Sequence, residues 1–219
     1  FGCWFSPRLM GKVGHIRSFA VFASLGAIAA LLHPLLLDPY AWSIMRVASG
    51  AAIAGSFTVI EAWLNSKVDN KTRGGVFGVY RFADLGAQMF AQLMVGFLEP
   101  ASFVSYNLIA MFFCLCLLPL TLTSRVVPEI PKSPRLRILS AYRLSPLGFF
   151  GVFVAGITTA AFRMVSPIYC KSIGLANQET AIFLTMSLLG GFLAQIPVGW
   201  LADYFDRRWV ITFLSIAAI

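Results

Sequence analysis

Long apolar runs alternate with short polar segments along the whole chain. Six runs of about 20 residues or more carry few charged side chains, and a shorter apolar stretch lies at each end. The complete runs cover 18–37, 41–64, 75–98, 103–123, 146–170 and 178–202, and the end stretches cover 1–6 and 209–219. At about 1.5 Å per residue, a helix of this length crosses roughly 30 Å of hydrocarbon. The pattern therefore predicts an all-α membrane protein with six complete spans and two partial ones.

The composition supports this prediction. Hydrophobic residues make up 58% of the chain and charged residues only 12%. Soluble domains carry about 25% charged residues, so this chain has too little polar surface for a water-soluble globule. The chain begins at Phe1 and ends inside an apolar run, which leads us to expect an internal fragment of a longer protein.

Basic residues gather in every second loop. One set of alternate loops holds thirteen lysines and arginines, whereas the other set holds only Lys171, together with Asp38 and Glu99. The positive-inside rule assigns the basic set to the cytoplasmic side. This distribution accounts for the net charge of +8 without a nucleic-acid partner.

A charged loop is predicted over residues 199–208, whose sequence is GWLADYFDRR. Its acids and arginines are too polar for hydrocarbon, so they must lie at a membrane surface. The spacing G-x-x-x-D-x-x-x-R-R resembles the loop signature of the major facilitator superfamily, a family of secondary transporters. The positions that match are Gly199, Asp203, Arg207 and Arg208. Tyr204 stands where a base is usual, and Asp206 stands where a second glycine is usual.

A degraded copy of the signature lies six spans earlier, in a basic loop predicted over residues 7–17. The positions that fit are Leu9, Lys12 and Gly14. Pro7 and Gly11 replace the glycine and the acid. Because such transporters are built from internal repeats, the resemblance places the chain between late helix 2 and early helix 9 of a fold with two six-helix bundles.

The resemblance divides the chain into three parts. Residues 1–124 are assigned to the N-terminal bundle, 125–145 to a cytoplasmic linker, and 146–219 to the C-terminal bundle. In the linker, prolines at every third position favour an extended stretch, followed by an interfacial helix over 135–143. Segments 14–20 and 60–65 resemble the bacterial YcaD-like branch of the superfamily, which implies a multi-pass transporter of the bacterial inner membrane.

The resemblance also implies a latch that closes the cytoplasmic side. In the family, an acid and a base pair across the cytoplasmic ends of neighbouring helices. The residues assigned to the latch here are Lys12, Gly14, Arg17, Glu61, Gly199, Asp203, Arg207 and Arg208. Within this set, Glu61 is expected to meet Lys12 or Arg17.

The predicted span 75–98 carries a polar face. Its members are Arg81, Asp84, Gln88 and Gln92. At about 100° per residue they fall within roughly 80° of one another. An ionisable group inside a span is a functional hypothesis by default. Two interpretations stay open: a substrate- or proton-binding face on a central cavity, or an Arg81–Asp84 pair that only holds helices together.

Two more arginines lie inside predicted spans. Arg46, four residues before Gly50, resembles the family's fourth-helix pattern, in which the arginine is linked to proton coupling. Arg46 is also close enough to the outer end of its span to reach the surface. Arg163, in the outer third of its span, either reaches the surface or binds an anionic group in the cavity.

These features favour a secondary active transporter that moves a small solute by alternating access with proton coupling. The partners expected are the solute, H⁺ and the lipid bilayer, and the protein is expected to be a monomer. The alternative is a transporter-like sensor without net transport. A membrane enzyme is disfavoured because HExxH, GxSxG and paired-acid motifs are missing from the sequence. No cofactor or metal is expected. The segment Gly86-Ala-Gln88 lacks the proline of drug/proton antiporters, which disfavours multidrug efflux.

Overall fold

Helices form nearly all of the chain in the computed structural model, which describes residues 2–69, 72–99, 102–122, 139, 142–143 and 145–217. The helices are α1 Gly2–Val13, α2 His15–Leu32, α3 Pro39–Lys67, α4 Arg73–Phe97, α5 Phe103–Leu115, α6 Leu118–Leu122, α7 Pro146–Ser172, α8 Asn177–Tyr204 and α9 Arg207–Ala217. Within those ranges there is no β-strand. The all-α prediction is confirmed.

Four described segments are both long and apolar enough to cross a membrane. They are His15–Leu32, Pro39–Lys67, Phe103–Leu120 and Pro146–Ser172. The helices α4 and α8 contain 25 and 28 residues, which is enough to cross about 30 Å at ~1.5 Å per residue. Four of the six predicted spans are therefore supported by length and hydropathy, and the other two by length.

The loop predicted over residues 7–17 is wrong, because helix extends through almost all of it. Helix α1 continues to Val13 and α2 begins at His15, so that only Gly14 separates them. Gly14 adopts φ 83° and ψ 174°, a backbone conformation that is essentially restricted to glycine. Its N–H still donates to the Met10 carbonyl at 2.9 Å. One glycine therefore turns the chain where a longer loop was expected.

The charged loop predicted over residues 199–208 is also mostly helical. Helix α8 continues to Tyr204 and α9 begins at Arg207, which leaves Phe205 and Asp206 as the connection. The carboxylate of Asp206 accepts a hydrogen bond from the backbone N–H of Arg208 at 3.0 Å. Such an N-cap satisfies one of the free N–H groups at a helix start. The acid in the place of the usual glycine therefore allows α9 to begin at once.

The span predicted over 103–123 is broken in the structure. Helix α5 ends at Leu115 and α6 begins at Leu118. Pro119 has no N–H to donate to the carbonyl four residues earlier, and its ring clashes with that carbonyl. The break therefore follows from Pro119.

Other helix ends follow local capping signals. Asp38 accepts from the Ala41 N–H at 2.9 Å, with Pro39 in the first helical position of α3. At the end of α7, Gly174 has φ 82°, and the Leu175 N–H donates to the Cys170 carbonyl at 3.0 Å. This is the hydrogen-bond pattern of a glycine-terminated helix.

The remaining helix ends agree well with the predicted spans. Helices α4, α7 and α8 agree within about two residues at each end, and α2 ends about five residues earlier than predicted, at Leu32. Most of the linker predicted over 125–145, including its prolines, lies outside the described residues. The assignment of 1–124 and 146–219 to two bundles stays a prediction.

The helices pack in two units. The first contains Phe1–Val79 and Glu99–Ile157, and the second contains Tyr80–Leu98 and Thr158–Ile219. In the first unit α2 packs against α3 and α5, and α1 packs against α3. Glycines allow these approaches, because a Cβ on Gly26 would lie 2.6 Å from the Phe113 ring and one on Gly55 would collide with Phe22. Small residues at helix contacts are typical of membrane proteins, in which close packing drives association.

Aromatic and small residues hold the second unit together. Phe82 of α4 packs against Phe192 of α8 with ring centroids 5.4 Å apart. Nearer the C-terminal end of α4, a Cβ on Gly96 would lie 3.1 Å from the Ala181 methyl of α8. Phe162 of α7 contacts Phe183 of α8 at 6.5 Å. Helices α4 and α7 therefore both contact α8.

We predict that Gly14→Ala lowers the stability of the protein by about 1–3 kcal/mol, because a side chain at this positive φ is strained. The unfolding temperature of the detergent-solubilised protein measures the effect. Gly78→Ala is the matched control: Gly78 lies in α4 with nothing within 4 Å of its Cβ position, and alanine favours a helix interior over glycine. Equal unfolding temperatures for the two variants would contradict the strain at Gly14.

Candidate functional site

The polar residues predicted to share one face of the span 75–98 lie on α4. The Arg81 guanidinium lies 3.6 Å from the Asp84 carboxylate, one turn along the helix. The Asp84 side chain is 13% exposed and the Arg81 side chain 52%. The i,i+3 pair named in one of the two sequence interpretations therefore exists, with the acid much more buried than the base.

A second polar contact joins α4 to α7. The Arg163 guanidinium donates a hydrogen bond to the Gln88 side-chain oxygen at 2.5 Å. Both residues belong to the second packing unit. Sequence analysis named Arg163 and Gln88 separately, but it had no means of pairing two residues that are 75 positions apart.

The contact lies deep along both helices. Gln88 is about nine residues from the C-terminal end of α4, and Arg163 is about nine residues from that of α7. At ~1.5 Å per residue, each lies roughly 14 Å from its helix end. Asp84 precedes Gln88 by one turn on the same face. The Arg81–Asp84 pair and the Gln88–Arg163 hydrogen bond are therefore neighbouring contacts along α4, and both arginines are exposed.

Comparison with known proteins identifies the family. The chain matches the family model of the Major Facilitator Superfamily over residues 4–219. This chain belongs to the major facilitator superfamily. It is 24% identical over 213 residues to the "Uncharacterized MFS-type transporter YcaD" of Salmonella enteritidis PT4 (strain P125109), and equally to the protein of that name from Salmonella newport (strain SL254). In both cases the match covers 96% of this chain and 56% of the relative.

The chain thus spans about half the length of the curated relatives it matches. No solved structure matches it significantly. Membership of the superfamily and the long apolar helices together make the chain part of a multi-pass membrane protein of a transporter family.

The latch residues that the superfamily resemblance assigned are only partly within the described structure. Lys12 and Arg17 are exposed, and neither makes a hydrogen bond or ion pair with another described side chain. Glu61 is half-buried near the end of α3. The side chains of Gly199, Asp203 and Arg207 lie outside the described part. The latch, including a pair between Glu61 and a base, stays a prediction.

Four other predicted positions lie on helix surfaces, three of them exposed and one half-buried. Arg46 and Gly50 lie on α3, where the Arg46 side chain is exposed and nothing lies within 4 Å of a Cβ on Gly50. Gln92 lies one turn beyond Gln88 on α4 and is half-buried. Arg208 is exposed beside Asp206 at the start of α9. The structure therefore brings Gln88 and Arg163 together but gives Arg46 no described partner.

Sequence analysis missed the position of His15. His15 was expected in a loop, but it is the first residue of α2 and is only 1% exposed. Its two ring nitrogens and the Trp63 indole nitrogen make no hydrogen bond within the described residues. These side chains line a cavity of about 180 Å³ together with Ile16, Phe19, Val59, Ile60 and Leu120. Only the presence of His15 and Trp63 in the two YcaD-like segments hinted at a shared environment.

His33, in contrast, has the packing of a structural residue. It is 5% exposed, and its Nδ1–H donates to the Ala29 carbonyl at 2.6 Å. Its ring stacks on Tyr106 at 5.6 Å and meets the edge of Trp42 at 5.4 Å. His33 is therefore buried against two aromatic rings and one backbone carbonyl.

We predict that Asp206→Ala destabilises the protein by about 0.5–2 kcal/mol, because the start of α9 loses its cap. Asp206→Asn keeps an acceptor oxygen and should unfold close to the wild-type temperature. Asp206→Gly, which restores the residue usual in the superfamily signature, should cost only a few tenths of a kcal/mol. Unfolding of detergent-solubilised protein measures all three variants, and a loss for Asp206→Asn equal to that of Asp206→Ala would contradict the capping role.

Proposed function

We propose that the chain is part of a secondary active transporter that moves a small solute by alternating access, coupled to protons. The observation that carries this proposal is the cluster of Arg81, Asp84, Gln88 and Arg163 within long helices of a superfamily member. Polar groups at membrane depth are costly and are retained where they bind a solute or an ion. The relatives are named MFS-type transporters, which agrees with transport.

Asp84 is the proposed proton-binding residue. It is the one carboxylate on the described polar face of α4, and it lies about 16 Å from the start of that helix. A carboxylate can bind and release a proton, whereas the neighbouring glutamines cannot. Protonation of Asp84 would remove its charge and release Arg81, so that the proton and the ion pair exclude each other. Proton binding would thereby break the Arg81–Asp84 ion pair and change the charge distribution of the site.

The remaining assignments complete the proposal. Arg46 and Gly50 on α3 are proposed to assist coupling, and Gln92 to extend the polar face. The basic loops are proposed to lie in the cytoplasm of a bacterium, as the positive-inside rule requires. The latch residues would close that side, and the protein would act as a monomer in the inner membrane.

The test uses the full-length protein in liposomes that contain a pH dye. A panel of organic anions, cations and uncharged solutes is added outside, and the internal pH is followed. Wild type should give a solute-dependent pH change, and Asp84→Asn should reduce its rate about tenfold or more, because the amide cannot carry a proton. Solute counterflow, which needs no net proton movement, should persist in this variant.

Asp38→Asn is the matched control, because Asp38 is an exposed helix cap whose function an asparagine retains. It should behave as wild type. An unchanged pH signal in Asp84→Asn would make the Arg81–Asp84 pair structural. Solute binding without movement in the wild type would replace the transporter by a sensor.

A further inference from the structure

The Arg163 guanidinium is incompletely satisfied. Among the described residues its one polar partner is the Gln88 oxygen at 2.5 Å, which is uncharged. A guanidinium has five N–H donors, so most of them stay free. An arginine inside a spanning helix is costly unless it pairs with an opposite charge or faces water. Arg163 is exposed, so an anionic ligand can reach it and would balance its charge.

The acid on the same face of α4 as Gln88 is already engaged. Asp84 lies one turn before Gln88 on the same helix face, yet its carboxylate pairs with Arg81 at 3.6 Å. Arg81 and Asp84 cancel each other's charge. Of the four described groups of the site, Arg163 alone contributes an unbalanced positive charge, which matches a ligand of charge −1.

The free hydrogen-bonding groups of the contact are mostly donors. Because a guanidinium can only donate, the Gln88 atom that faces Arg163 must be the amide oxygen. The amide nitrogen of Gln88 then keeps two N–H groups that no described residue accepts. Arg163 and Gln88 together offer several free donors, against one remaining lone pair on the Gln88 oxygen. Such a pair favours a group with two acceptor oxygens, because a planar guanidinium matches a carboxylate in bidentate geometry.

We propose that the solute is an organic monocarboxylate, whose carboxylate binds between the Arg163 guanidinium and the Gln88 amide. This inference rests on the proposed transport function and names the substrate class of the same site. An uncharged solute leaves Arg163 unbalanced, and a cation is repelled. A divalent anion exceeds the single charge available.

The first experiment measures binding to the full-length protein in detergent by thermal shift. The probes are aliphatic and aromatic monocarboxylates, each paired with the amide and the amine of the same carbon skeleton. Carboxylates should raise the unfolding temperature, and their amides and amines should not. Arg163→Lys should weaken carboxylate binding about tenfold, because a lysine loses the bidentate geometry.

Gln88→Glu is the sharpest variant. It places a carboxylate of the protein beside Arg163, so the variant should fold normally and bind carboxylates about tenfold or more weakly. Gln178→Glu is the matched control at the exposed start of α8, where a negative charge is tolerated, and its binding should be unchanged. If Gln88→Glu fails to fold, Arg163→Lys carries the comparison.

Three results would overturn the inference: amides or amines that stabilise as well as carboxylates, carboxylate binding that survives both variants, or no effect of any carboxylate. Counterflow in liposomes separates this inference from the transport proposal. If carboxylates bind but are not transported, the transport proposal is wrong and the anion site remains supported. If an uncharged solute is transported and Gln88→Glu does not affect its transport, the transport proposal remains supported and the anion site is wrong.

Discussion

The hydrocarbon interior of a membrane offers no hydrogen-bond partners, and this constraint governs the fold. Each spanning segment must satisfy its backbone internally, which a helix does. Two of the described connections between helices are very short. Gly14 alone separates α1 from α2, and Phe205 and Asp206 alone separate α8 from α9. Where a helix start exposes free N–H groups, a side chain such as Asp38 or Asp206 accepts from one of them.

The same constraint makes tight packing the main source of association between helices, because lipid is as apolar as the side chains it replaces. Glycine is used where one helix must approach another most closely. Gly55 lies against Phe22, and Gly26 lies against Phe113. The small core of the first unit contains Phe22, Met10 and Val59. It therefore depends on glycines, which lack side chains, as much as on these larger residues.

Charged groups inside this fold are neutralised either by one another or by a bound ligand. Asp84 takes the first route with Arg81, and Arg163 is left with the neutral Gln88. The difference follows from geometry: Arg81 is one turn away on the same helix, whereas Arg163 reaches α4 from α7. A site that keeps one charge unpaired gains selectivity for a solute that supplies the opposite charge. In the proposed transporter, this unpaired charge would link solute recognition to the same helices that carry the proton-binding acid.

The sequence by itself determined the class of fold, most span positions, the polar face of α4 and the family resemblance, because these depend on composition, helical periodicity and local motifs. Connection lengths were overestimated, since charged residues near a membrane surface continue a helix as readily as they form a loop. Only the tertiary structure paired Arg163 with Gln88 and buried His15 beside Trp63. Contacts between residues far apart in the chain depend on how helices are placed against each other, and no local pattern in the sequence encodes that placement.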